Sequence, residues 1–268
     1  MIKDIVVNLE HDVSRDRARE FAITVAEAFD AHIAGVAFVY APDFPGYVML
    51  EMPPNIVAMM VEESKKAAEA AIRRFDEAAR SRQLSAEHRL VRTVRPEAPT
   101  LFAAIARRSD LSTFLQSSPD GVANDDMIES ALFESGRPLI VVPYIHKNGL
   151  KLDRVVCCWD GSLTAARAIN DALPLLARAD QVDLLIIEND KTKNETTEIR
   201  GVEMASHLAR HDVKVEIEII PAPDIEVADA ILSHVADESG TLIVMGGYGH
   251  AKLPSFGSSR LCPLSDRR

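Results

Sequence analysis

Aromatic residues make up only 5% of the 268-residue chain, with a single Trp. The interior must therefore be built mostly from Ala, Val, Leu and Ile, and a hydrophobic content of 47% suffices for a buried core. Cysteine is scarce too. Cys157, Cys158 and Cys262 make neither a disulfide framework nor a metal-ligand spacing. Cys157 and Cys158 are neighbours in an apolar run, so on a strand they point to opposite faces as small core residues. No apolar run approaches the roughly 20 residues that cross a bilayer. No basic flank and apolar stretch precede the first strand, which starts by Asp4. The expectation is a soluble, reducing, cytoplasmic protein with no membrane partner. Basic runs are absent beyond two or three residues, and the net charge is −11. That field repels nucleic acid. It does not exclude a nucleotide, because backbone N–H groups hold phosphate without side-chain charge.

What the chain does contain, it contains twice. Ile5-Val6-Val7-Asn8-Leu9-Glu10 is echoed by Val155-Val156-Cys157-Cys158-Trp159-Asp160. Leu111 to Leu115 is echoed by Leu242 to Gly246. The duplication predicts two domains, 1–147 and 150–268, joined near Lys147-Asn148-Gly149.

Periodicity along the first copy predicts strands at Ile5–Leu9, His32–Tyr40, Ala86–Val94, Leu111–Leu115 and Pro138–Pro143. Between them, helices are predicted from Arg15 to Phe29, from a cap at Asn55 to about Arg82, within Pro96–Arg108, and from Asp125 to Glu134 with Gly136 ending it. The second copy predicts strands at Val155–Trp159, Val182–Ile187, Val213–Ile220 and Thr241–Met245. Its helices are Thr164–Ala177, Glu195–Arg210 and Ile225–Asp237. Alternating strands and helices imply a doubly wound parallel α/β sheet in each copy. After Lys252 the pattern stops, where the first copy has one more helix and strand. The second unit is thus expected to lack its last helix and strand.

Ligands of parallel sheets sit beyond the carboxyl ends of the strands. Two turns there stand out. In Trp159-Asp160-Gly161-Ser162, Asp160 ends a strand, Gly161 permits a tight turn and Ser162 can cap the next helix. In Met245-Gly246-Gly247-Tyr248-Gly249-His250, glycines let backbone approach a ligand. For each turn, plain capping or a plain tight turn stands beside the ligand reading. His11, His32, His88, His146, His207, His211 and His234 are scattered without ligand spacing. No Gly-x4-Gly-Lys-Ser/Thr loop and no nucleophile–base pair is present.

These turns on a duplicated unit resemble the universal stress protein family in its tandem form, over nearly the whole chain to about Lys252. The resemblance implies ATP or AMP as ligand and a divalent cation only with the nucleotide; with no general base and no carboxylate pair for metal assignable in the sequence, no enzymatic activity is expected. The resemblance also implies that Asp160 contacts the nucleoside with Trp159 beside it, and that Ile187 lies against adenine. Gly246 and Gly249, following Met245, match the start of the family's Gly-x2-Gly-x9-Gly-Ser/Thr loop. The end of that loop does not match. Ser259-Arg260 stands in the expected register, and Gly257-Ser258 comes two places early. In the first copy Glu10 replaces the Asp and Leu115-Gln116-Ser117-Ser118 lacks the glycines, so that copy is expected not to bind.

Three functions compete. The first is a stress-response protein sensing an adenine nucleotide through its second repeat, with its repeats paired and a homodimer through Pro138–Pro143. The second is an interaction protein of the same fold without nucleotide. The third, an adenine-nucleotide-dependent enzyme, lacks a Ser-Gly-Gly-x-Asp-Ser or His-Ile-Gly-His sequence. A shifted reading frame near Lys252 is the expectation for the abrupt change in pattern there.

Overall fold

The structure is a computed structural model describing residues 1–45, 47, 51–118, 124–188, 195–222 and 225–247, with 195–200 described as backbone only. The chain divides into two compact units, the first holding Met1–Leu150 and the second beginning at Lys151.

The first unit runs β1 (Asp4–Asn8), α1 (Arg17–Phe29), β2 (His32–Ala41), α2 (Pro54–Ser81), β3 (Ala86–Val94), α3 (Ala98–Ala106), β4 (Leu111–Leu115), α4 (Asp125–Glu134) and β5 (Leu139–Val142). All pairings are parallel, in the order β3-β2-β1-β4-β5. Four of the five residues of β1 are buried, as are all five of β4. A strand covered on both faces needs such continuous apolar runs. On one face Val6, Val36, Phe38 and Phe114 pack with Phe102 of α3 and Met127 and Ala131 of α4.

The second unit repeats the plan with β6 (Arg154–Cys158), α5 (Leu163–Leu176), β7 (Gln181–Glu188), α6 (Glu195–Ala209), β8 (Val215–Pro221), α7 (Val227–Asp237) and β9 (Leu242–Val244). Its order is β8-β7-β6-β9, again parallel. The doubly wound sheets foreseen from the sequence are therefore present, five-stranded and, among the described residues, four-stranded. In both units the chain winds outward from the first strand and then crosses to its other side. The crevice at the carboxyl ends of β1/β4 and of β6/β9 is the topological switch point.

Some boundaries differ from expectation. Asn55 does not cap α2. Pro53 holds the cap position and Pro54 opens the helix, where a missing N–H costs nothing. Helix α5 begins at Leu163 and carries Pro174 inside it. Strand β8 starts at Val215, two residues later than its apolar pattern, because Val213 closes the preceding turn through Leu208 O. Asp125 and Asp126 do open α4, at the positive end of its dipole.

Candidate functional site

The second switch point is built by two turns that meet. After β6, Trp159 N–H still donates to Leu185 O at 2.8 Å, so the ladder runs one residue beyond the strand. The chain then turns at Gly161, whose φ of 77° suits glycine. Asp160 Oδ1 accepts from Ser162 N–H at 2.9 Å, and Ser162 Oγ accepts from Ala165 N–H at 3.1 Å, capping α5. Asp160 is exposed, and among the described residues its second carboxylate oxygen has no partner. The carboxylate thus orders the turn with one oxygen and can serve a ligand with the other.

Gly246 reaches the same place from β9. A Cβ on it would lie 2.7 Å from Ala165 N and 2.7 Å from the carbonyl carbon of Thr164. Backbone lies against backbone, so only glycine fits. The requirement arises from packing the β9 turn on the start of α5, a contact with neither a ligand nor the turn's own geometry as its cause. Packing and phosphate approach are compatible, since the same closeness points the turn toward the capped helix N-terminus.

The other sequence-predicted residues are distributed differently. Trp159 is only 8% exposed and belongs to the core cluster with Ala165, Ile169, Ile186 and Leu208. It faces the interior beside the site, and its indole N–H has no partner among the described residues. Ile187 lies on the opposite face of the sheet, half-buried against the cluster of Val156, Leu185, Ile231 and Val235. Met245 is 50% exposed, whereas Phe114, at the matching register of β4, is fully buried against Phe102 at 4.8 Å. Among the described residues, no helix covers Met245 as α4 covers Phe114. Gly249, Gly257, Ser258, Tyr248 and His250 lie outside the described residues, as does the tail after Lys252. Burial pushes the Cys158 thiol up to about 12, with the Asp160 charge adding to it, and pushes Cys157 higher still. Neither is a nucleophile at neutral pH.

At the matching place the first unit is filled by its own side chains. Glu10 stands where Asp160 stands in the second. Its Oε1 accepts from Asn124 Nδ2 at 2.7 Å and its Oε2 lies 3.8 Å from Arg15. Asn124 Nδ2 also donates to Leu115 O at 3.0 Å, and Asn124 N–H donates to Ser117 Oγ at 2.8 Å. Ser117 Oγ in turn donates to Asp125 Oδ1 at 2.7 Å. These bonds tie β1, β4 and α4 together across the crevice. Burial raises the Glu10 pKa, with Arg15 and the Asn124 bond opposing. Arg74 locks the rim, donating to Asp16 Oδ2 at 2.6 Å and to the carbonyls of Glu10 and His11. Asn124 carries this network, although its sequence signal is only that of a helix start. Its partner is 114 residues away.

No family model matches the chain, and no curated protein matches it in sequence. Solved structures do. A universal stress protein from Archaeoglobus fulgidus DSM 4304 superposes with a TM-score of 0.67 at 14% identity, over 90% of this chain and 85% of that one. The fold is that of the universal stress proteins. A protein of unknown function from Pseudomonas aeruginosa PAO1 matches with a TM-score of 0.60 at 15% identity, over 95% of this chain and 85% of that one. A shorter universal stress protein, solved in complex with cAMP, matches 53% of this chain at 17% identity with a TM-score of 0.36. The universal stress protein fold thus spans both units. Among the described residues no helix is long and apolar enough to cross a membrane.

Proposed function

We propose that the chain is a tandem universal stress protein that senses an adenine nucleotide, ATP or AMP, through its second unit alone. The observation that carries this reading is the contrast between the switch points. Glu10, Asn124 and Ser117 bridge the first, while in the second Asp160 is exposed beside a capped helix N-terminus and a glycine turn. Helix α5 offers the positive end of its dipole there, which favours phosphate. A divalent cation would enter this crevice only with the nucleotide. The proposed chemistry is binding rather than turnover, and steady-state ATP hydrolysis compared with Asp160→Ala tests it. A cytoplasmic, stress-responsive role with paired repeats and a homodimer follows from the same family reading.

Gly246 also favours a second reading, an interaction protein of this fold without nucleotide, since packing alone accounts for that glycine. Mass spectrometry of small molecules released from the purified chain separates the two. Trp159, the single tryptophan, gives a direct readout on titration with ATP or AMP. Saturable fluorescence change with released nucleotide supports sensing. Neither signal, at millimolar nucleotide, leaves the interaction protein.

A further inference from the structure

We infer that His207, His211 and Asn170 form an open binding site for a borderline divalent transition-metal ion of the zinc class in the second unit. The two histidines are four residues apart. Beyond Ala209, the last residue of α6, Arg210 N–H still reaches Ser206 O at 3.3 Å and His211 N–H reaches Leu208 O at 2.9 Å. The helical face therefore persists through the turn, and positions i and i+4 share it. The two rings lie 4.8 Å apart at 67°. A pair of imidazoles at this spacing on one helical face is an arrangement by which helices hold zinc. The scatter of histidines in the sequence hid it, because the pair matters only if the helix register outlasts the helix.

A third donor comes from α5. Asn170 Nδ2 donates to Ala166 O at 2.8 Å, which fixes the amide so that Oδ1 faces His207. Oδ1 lies 3.3 Å from His207 Nε2. That is long for a hydrogen bond between nitrogen and oxygen. It matches the edge of a zinc tetrahedron, since bonds of about 2.0–2.1 Å place adjacent donors roughly 3.3–3.4 Å apart. His207 and Asn170 are thus already at chelating separation, and the neighbouring His211 ring supplies the third donor. Two imidazole nitrogens and one carbonyl select zinc, nickel or copper over magnesium or calcium. Among the described residues no group of three or more His, Cys, Asp or Glu is placed to hold a metal ion. With only two histidines the site leaves a coordination position to solvent, so it suits an exchangeable ion rather than a structural one.

The test is calorimetric titration of Zn2+ into the full chain, untagged, free of nucleotide and stripped with chelator. One saturable Zn2+ per chain is expected. H207Q and H211Q should each weaken it by at least about tenfold, the low end of what losing even an outer-shell partner costs. N170D should tighten it, a carboxylate replacing a carbonyl. H88Q, at an exposed histidine of the first unit, should leave it unchanged. Trp159 fluorescence verifies that each variant folds. Absence of saturable binding, or affinity unchanged in the histidine variants, overturns the site. If a histidine variant fails to fold, unchanged affinity in N170D overturns it instead.

Discussion

Replacing Arg154 with Met should destabilise the second unit more than any surface substitution. Asp183 sits in mid-strand on β7 with 0% side-chain exposure, and Arg154 Nε donates to its Oδ2 at 2.6 Å. Arg154 also reaches Glu238 at 2.7 Å, and this pairing, with Asp183 first, raises its pKa. Among the described residues Asp183 Oδ1 has no hydrogen-bond partner, and His234 Nε2 is 3.7 Å from Oδ2. Among the described residues Arg154 is the cation in hydrogen-bond contact with this carboxylate. Stripping a partner from a buried ion pair costs about 3–5 kcal/mol, and the partial exposure of Arg154 argues for the lower end. At roughly 4–8 °C per kcal/mol for a domain of up to about 100 residues, a loss of about 3 kcal/mol is roughly 12–24 °C in Tm, the smaller figure applying to this slightly larger unit. Urea denaturation followed by Trp159 fluorescence reports on this unit alone. The double variant R154M/D183L should recover most of the loss, because a buried pair exchanged for apolar residues is close to neutral. A midpoint unchanged in R154M, or no recovery in the double variant, refutes the reasoning.

Gly246→Ala should cost about 1–3 kcal/mol in the same assay, because its Cβ meets backbone at 2.7 Å that cannot swing aside. An unchanged midpoint would show that the turn is loose. Glu10→Gln should stabilise the first unit at pH 7, read by hydrogen exchange of the β1 amides. Burial raises the Glu10 pKa, so the ionised form is a cost above the folded pKa that disappears as pH falls below the ordinary value of 4.5. The advantage of Gln must therefore shrink toward pH 4.5, and an advantage constant with pH would contradict the assignment. In a C262S background, Cys157 and Cys158 should resist a maleimide at pH 8 until urea unfolds the unit, since burial holds both thiols protonated.

The fold was legible because parallel strands buried on both faces must read as continuous apolar runs, and Ile5–Leu9 and Val155–Trp159 do so twice in matching order. Local chemistry was legible where it is local. Ser162 caps the helix that follows it and Gly161 turns the chain, each within three residues of its partner. The rest depends on residues far apart. Nothing near Asn124 in sequence announces Glu10, and nothing near Gly246 announces the backbone of Thr164 and Ala165. Trp159 reads as a pocket residue because it adjoins Asp160, yet alternation along β6 turns it to the core. Asn55 reads as a cap by residue type, but the prolines before it already fix the backbone entering α2.

The central claim is that the second switch point binds an adenine nucleotide and the first does not. Isothermal titration of ATP into the wild-type chain, Asp160→Ala and Glu10→Ala tests it most directly. One site per chain, weakened in D160A and intact in E10A, is the expected result. Two equivalent sites, or full binding in D160A, would contradict it.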